Sequence, residues 1–434
     1  MRMKIPLPSR RPVLLFILFG VILAQCCCFL FLNLPNLFQP KPYSPAMPLT
    51  QYCALLEAGY GWPHEYDKVP TRITSSQVLS WFRNIMLNYM FNAESDDMES
   101  SENTEGRCKD YRRNPPLPCD EECERFRQLV RAWPKDKPKA AIYLLAQFSR
   151  LNAIHTVIKS ISDFFTNNYS YPIIIFSDDR RLSKVVITKK IRSLANTSVF
   201  FQTVSFTLPS HIRVAAVPDR ACSRGDSIGY RHMCRFQSIG VYHEPILADL
   251  EYTLRLDDDS SLTRPMKYDI FERMRQKQWV YGSIWALLDL PDCVKGLWQV
   301  SCRYLREQKL DPGRFTSWPY LGNYYNNFEV SRMSLWRSCE YQSYVDYLDR
   351  LGGIYYDRWG DGPIKSIAVA MLLPSSAVHI FDDIGYTHWG MPKVNWTMFS
   401  IVLWHVVGRW DWERPWWCIP RSMVYFGLYI QDCM

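Results

Sequence analysis

Residues 140–179 read AAIYLLAQFSRLNAIHTVIKSISDFFTNNYSYPIIIFSDD. Ala140–Leu145 is a short unbroken apolar run, the pattern of a buried strand. Leu151, Ile154, Val157, Ile161 and Phe164 then recur at helical spacing. Residues 173–176 (IIIF) form a second buried strand, which ends in Ser177-Asp178-Asp179. A helix over 181–194 and an extended segment over 199–206 continue the alternation. Strands alternating with helices predict an α/β domain with a mainly parallel sheet and helices on both faces. Ligands of such sheets sit beyond the carboxyl ends of the strands, so chemistry is sought there.

One strand end stands out. Tyr252-Thr-Leu-Arg-Leu leads into Asp257-Asp258-Asp259. Three adjacent carboxylates repel one another unless a cation or hydrogen-bond donors neutralise them. On an extended segment Asp257 and Asp259 point the same way, which suits a hard divalent ion. The same residues also suit a polar strand exit, with aspartate as a turn former or helix cap. Spacing alone leaves both readings open. Further on, Arg358-Trp-Gly-Asp361-Gly-Pro and Phe381-Asp-Asp-Ile-Gly-Tyr-Thr-His388 are dense in residues that bind rather than pack. Sixteen Trp and 26 Tyr offer flat faces and polar tips to sugar rings, although most of them must fill the core.

The rest of the 434-residue chain places this domain. Lys and Arg number 51 against 43 Asp and Glu, a net charge of +8, but Arg2, Lys4, Arg10 and Arg11 supply half of that excess. The remainder is too weakly basic for a nucleic-acid footprint, so no nucleic-acid partner is expected. Residues 13–32 are apolar apart from Gly20 and Gln25, long enough to span a bilayer. With the basic flank ahead of them, the positive-inside rule predicts a cytoplasmic tail over 1–12, a signal anchor over 13–32 and the remainder lumenal. Asn168, Asn196 and Asn395 head glycosylation sequons, in keeping with that side. Beyond the span, Pro35, Pro40, Pro42, Pro45 and Pro48 favour an extended spacer, 78–91 reads as a short helix, and 94–105 as an acidic loop. Residues 33–135 are therefore assigned to a stem and 136–434 to the catalytic domain. Eleven cysteines lie beyond the span, an odd number that leaves at least one thiol free or paired with another chain. Cys108, Cys119 and Cys123 could mimic a metal knuckle, but without a second ligand pair disulfides are the better reading.

Seven strings now line up: Tyr230-Arg-His-Met-Cys-Arg-Phe236, Tyr268-Asp-Ile-Phe271, Tyr281-Gly282, Asn327-Phe-Glu329, Gly352-Gly353, Tyr356-Asp-Arg-Trp-Gly-Asp361 and Asp383-Ile-Gly-Tyr-Thr-His388. In order and approximate spacing the chain resembles the yeast Golgi α-1,2-mannosyltransferase family over roughly 138–392. The resemblance implies a type II Golgi membrane protein with a GT-A-like nucleotide-sugar-binding domain. It implies retaining transfer of mannose from GDP-mannose to mannose on N- or O-linked glycans, with Mn²⁺ as cofactor. Residue by residue, it implies Asp257 and Asp259 near metal and donor, and His388 on the metal. Glu329 would face the anomeric carbon and Tyr230 the reaction centre, with Asp361 the next candidate carboxylate. Arg231 and Arg235 become candidates for the diphosphate and Tyr281 for the donor. The chain departs from the family where Asp257-Asp258 replaces Glu-Pro, Gly322 replaces a cysteine and Lys365 replaces a histidine. The alternatives are another donor, such as UDP-galactose or UDP-glucose, and an inactive glycan-binding paralogue; the retained Glu329, Asp361 and His388 speak against the latter.

Overall fold

The computed structural model describes residues 48–57, 118–222, 227–388 and 391–392, all within one compact unit. The expected cytoplasmic tail, membrane anchor, helix 78–91, acidic loop and Asn395 lie outside the described residues. Among the described residues no helix is long and apolar enough to cross a membrane.

The two quoted apolar runs become strands β1 (Ala140–Leu145) and β2 (Ile173–Ser177), joined by a helix over Leu151–Ile161. β3 (Val199–Thr203) and β4 (Tyr252–Leu256) follow, and β1 pairs in parallel with both β2 and β4. Further along the chain come β5 (Ser260–Leu262), β6 (Tyr281–Ser283), β7 (Ala286–Leu288), β8 (Gly322–Tyr324), β9 (Phe328–Arg332), β10 (Val378–Ile380), β11 (Tyr386–His388) and β12 (Met391–Pro392). The main sheet has seven strands in the order β10-β6-β9-β4-β1-β2-β3. It is mainly parallel, as expected, but β9 runs antiparallel to both of its neighbours, β4 and β6. The helix expected over 181–194 begins only at Val185, and the extended segment over 199–206 pairs only to Thr203.

Strand alternation gives the sheet two different faces. On one, Ile142, Leu144, Ile173, Ile175, Leu254, Phe328 and Val330 pack with Ile154, Val157, Ile158 and Ile161 of the first crossover helix. The other face carries Tyr143, Arg255 and Glu329 side by side across β1, β4 and β9. This polar face survives burial because the helix Asp361–Leu372, buried from Asp361 to Met371, brings partners to it.

Two pieces of the 33–135 segment pack on this domain. We label the helices they form α1 (Leu49–Glu57) and α2 (Glu121–Arg131). Cys53 of α1 is disulfide-bonded to Cys302 in the helix Leu297–Gln308, and the Tyr52 ring meets Phe315 edge-on. Asp120 caps α2 by accepting from the Cys123 backbone N–H at 2.9 Å. Phe126 then lies against Phe200 of β3, and Glu122 accepts from Arg192. Cys119 and Cys123 form a disulfide rather than a metal knuckle, Cys222 pairs with Cys293, and Cys339 is also disulfide-bonded. Cys234 is a free buried thiol.

The Cys53–Cys302 bridge joins segments 249 residues apart in sequence. By loop-closure entropy, a cross-link closing so long a loop is expected to contribute about 5 kcal/mol. Cys53→Ser should lower the midpoint of thermal unfolding, measured by circular dichroism without reductant, while leaving the folded spectrum unchanged. An unshifted midpoint would show that the Cys53–Cys302 bridge contributes nothing to the stability of the domain.

Candidate metal centre and the charged layer beneath it

β4 ends where Asp257 begins a tight turn, closed by the Ser260 backbone N–H donating to the Asp257 carbonyl at 3.0 Å. The acids therefore converge through a turn rather than by alternation along an extended segment, which corrects the expected geometry. The turn feeds β5, and β5 pairs with β11 so that His388 stands opposite Ser260. That register brings His388 Nε2 within 2.8 Å of Asp259 Oδ1. One ligand atom each from Asp257, Asp259 and His388 falls within 4.8 Å of the other two.

Neighbours hold each of these groups. Asn327 donates to Asp257 Oδ2, and its side-chain nitrogen is 3.5 Å from His388 Nε2. The Tyr325 hydroxyl bonds His388 Nδ1. A tyrosine hydroxyl can donate or accept, so Nδ1 is satisfied whichever ring nitrogen carries the proton. Nε2, which faces Asp259, is the ring nitrogen a cation would meet, and the Tyr325 contact keeps the imidazole oriented. Two carboxylate oxygens and one imidazole nitrogen make a donor set that fits a divalent ion of intermediate hardness.

Arg150, in the short turn after β1, bonds Asp259 Oδ2 and, at 3.0 Å, Asp258 Oδ1. Burial alone would raise the Asp259 carboxyl, but hydrogen bonds from His388 and Arg150 outweigh it and hold the group below the usual carboxylate range. Asp258 is different. Burial pushes it up to about 7, against the pull of Arg150 and with help from Asp257 and Asp259.

Beneath the turn lies the polar face of the sheet. Arg255 is 3% exposed and bonds Asp257 Oδ1 through Nη2 at 3.0 Å and Asp361 through Nη1. Asp361 opens its helix and also accepts from Asn326 at 2.6 Å. Burial would raise Asp361, yet Arg255 and Lys365 keep it below the usual range. Glu329 pairs with Lys365 at 2.7 Å, both side chains closed to solvent, and Tyr281 donates to its other oxygen at 3.3 Å. Burial holds the Lys365 ammonium below its ordinary value although Glu329 pulls it up.

This arrangement corrects several residue roles expected from the sequence. Glu329 does not face an open pocket; both its oxygens are engaged and it is 1% exposed. Asp361, its substitute, is enclosed as well. Tyr281 supports Glu329 from within the sheet rather than lining a donor cleft. Arg231 is buried, and its guanidinium donates to the Tyr355 and Pro218 carbonyls at 2.7 Å. Arg235 forks onto Asp349. In this structure both arginines bond acceptors within the chain, Arg231 from a fully buried position and Arg235 from a partly exposed one. Tyr230 is half-buried, its ring 4.1 Å from the Arg358 guanidinium carbon. The structure brings Asp257, Asp259 and His388 together and adds Arg150, Arg255, Tyr325 and Asn327. Asn327 was visible beside Glu329; Arg150 carried no signal, because its partner is 109 residues away.

Removing one member of a buried ion pair strands the other, at a cost of about 4 kcal/mol. Glu329→Gln should therefore lose stability on that scale in chemical denaturation, and adding Lys365→Met should restore most of it. A Glu329→Gln protein as stable as wild type would contradict the enclosed pair.

Comparison with known proteins agrees with this fold. The sequence profile of the family described as Glycolipid 2-alpha-mannosyltransferase matches residues 92–399, well over half of the chain. The chain is similar to the Glycolipid 2-alpha-mannosyltransferase of Saccharomyces cerevisiae, 30% identical over 273 residues that cover 58% of this chain and 61% of that protein. It is similar to the yeast Alpha-1,2 mannosyltransferase KTR1, 29% identical over 58% of this chain and 69% of the relative. The chain thus spans about three fifths of the first of these relatives. Among solved structures, yeast mannosyltransferase Ktr4p in complex with GDP superposes with a TM-score of 0.55 at 25% identity, covering 64% of this chain and 82% of that one. Core-mannan synthase A of Aspergillus fumigatus, in its Mn/GDP form, gives 0.54 at 24% identity over 58% and 75%. The GT-A-like mixed α/β fold expected from the sequence is thereby shared with solved mannosyltransferases, and the chain belongs to the glycolipid 2-alpha-mannosyltransferase family.

Proposed function

We propose that this chain transfers mannose from GDP-mannose, with retention, to mannose-terminated N- or O-linked glycans, forming α-1,2 linkages with Mn²⁺ as cofactor. One observation carries the reading: Asp257, Asp259 and His388 converge at the carboxyl end of β4, where open α/β sheets bind ligands. Family membership supports the mannosyl donor, and Ktr4p, a structural relative, is known with GDP.

Asp257, Asp259 and His388 would hold the ion, which when bound supplies Lewis-acid neutralisation of a leaving diphosphate. The chain's own residues do the rest. Asn327 and Arg255 fix the Asp257 carboxylate from two sides, so little reorganisation is needed when a ligand arrives. Tyr325 keeps the His388 ring oriented. The enclosed layer of Arg255, Asp361, Lys365 and Glu329 sets the field from below, and Glu329 acts through that layer.

Asp259→Asn should lower mannosyl transfer on the order of a hundredfold, the scale of losing a preorganised electrostatic group. Chelator should abolish activity and Mn²⁺ should restore it, as read by transfer from GDP-mannose to methyl α-mannoside. Full activity in chelator, or competition by UDP rather than GDP, would overturn the reading.

The same proposal places the protein as a single-pass type II Golgi membrane protein. Its basic leader and apolar span support this, as do the exposed sequon asparagines Asn168 and Asn196. In sealed microsomes residues 33–434 should resist added protease. Digestion of the C-terminal domain from the cytosolic side would overturn the topology.

A further inference from the structure

We infer that Arg150 is an exchangeable counter-ion of the acidic turn, held by Asp258 and Asp259 until a divalent cation displaces it, and then available to a nucleoside diphosphate. The inference deepens the functional reading above and rests on it.

Arg150 differs from the other cations around the turn. Arg255 is enclosed and fixed between Asp257 and Asp361. Arg150 comes from the short turn Phe148–Arg150 and is 41% exposed, whereas its acceptors Asp258 and Asp259 are only 7% and 10% exposed. A half-solvated guanidinium therefore pairs with two nearly buried carboxylates at the acidic turn. One of those carboxylates, Asp259, belongs to the three-residue cluster that fits a cation.

The two cations compete for one group. Asp259 gives Oδ1 to His388 and Oδ2 to Arg150, so a divalent ion binding there draws away the charge that holds the guanidinium. It also places a second positive charge beside it. Repulsion and the loss of its acceptor release Arg150 towards solvent, with Asp258 as the remaining partner. A diphosphate joining the ion restores negative charge at the same spot. Its oxygens match the planar fork of an arginine, which lysine reproduces only as a point charge. Arg150 should thus oppose the metal alone and favour the nucleotide that follows it, making the two ligands bind cooperatively. Linkage requires that each ligand raise the affinity for the other by the same factor.

The test uses the full chain and needs no turnover. Mn²⁺ binding is measured by the electron paramagnetic resonance of the free ion, without nucleotide, for wild type, Arg150→Ala and Arg150→Lys. GDP binding is then measured calorimetrically at saturating Mn²⁺. Arg150→Ala should bind Mn²⁺ about tenfold more tightly and GDP about tenfold more weakly, with Arg150→Lys between the two in both assays. A purely structural arginine would not move the two affinities in opposite directions. Unchanged or weaker Mn²⁺ binding in Arg150→Ala overturns the inference, as does unchanged GDP binding. Failure of wild type to bind Mn²⁺ is a separate result: it overturns the metal reading itself, and this inference with it.

Discussion

The Arg255 guanidinium bonding Asp257 on one side and Asp361 on the other is the contact on which the rest of the centre depends. Taking a guanidinium out of water costs several kcal/mol unless acceptors surround it. Here the antiparallel pairing of β4 with β9 sets Arg255 beside Glu329, and the helix beginning at Asp361 lies across both. Within this layer each charge has an opposite neighbour: Arg255 with Asp257 and Asp361, Lys365 with Glu329. Moving β9 by one residue would turn Glu329 to the apolar face and leave Lys365 unpaired. The layer therefore pins the register of the central strands and the position of the acidic turn together.

That coupling gives the centre its asymmetry. Below the turn, the groups are enclosed and their bonds are fixed by main-chain pairing. Above it, Arg150 is half in solvent. Asp257 spans the two regimes, bonded from below by Arg255, from the side by Asn327, and 27% exposed. A rigid base with an adjustable rim is an arrangement in which a ligand is met by groups already oriented, while charge compensation still follows occupancy.

The parallel half of the fold was legible because its strands are buried on both faces and its helix has a clean apolar stripe. β1 and β2 are continuous aliphatic runs, and Ile154, Val157 and Ile161 point to one side. β9 was harder to read. Phe328-Glu-Val-Ser-Arg alternates a charged residue into what proves to be a buried face, because its partner Lys365 is 36 residues away. The metal-type acids were legible as residue types but not in their geometry, since nothing local says that Asp257-Asp258-Asp259 turns rather than extends. The internal partners of Arg231 and Arg235 were not legible for a similar reason: a guanidinium bonded to carbonyls or to Asp349 looks no different in sequence from one awaiting phosphate. Disulfide pairing likewise depends on which surfaces meet, as Cys53 and Cys302 illustrate.

The function proposed for the acidic turn requires Asp257, Asp259 and His388 to hold a divalent ion together. Electron–nuclear double resonance on the Mn²⁺-loaded chain, wild type against His388→Gln, reads this directly. One bound ion with coupling to an imidazole nitrogen is expected, and loss of that coupling in His388→Gln. A bound ion with no nitrogen coupling in wild type, or the same coupling in His388→Gln, would contradict it.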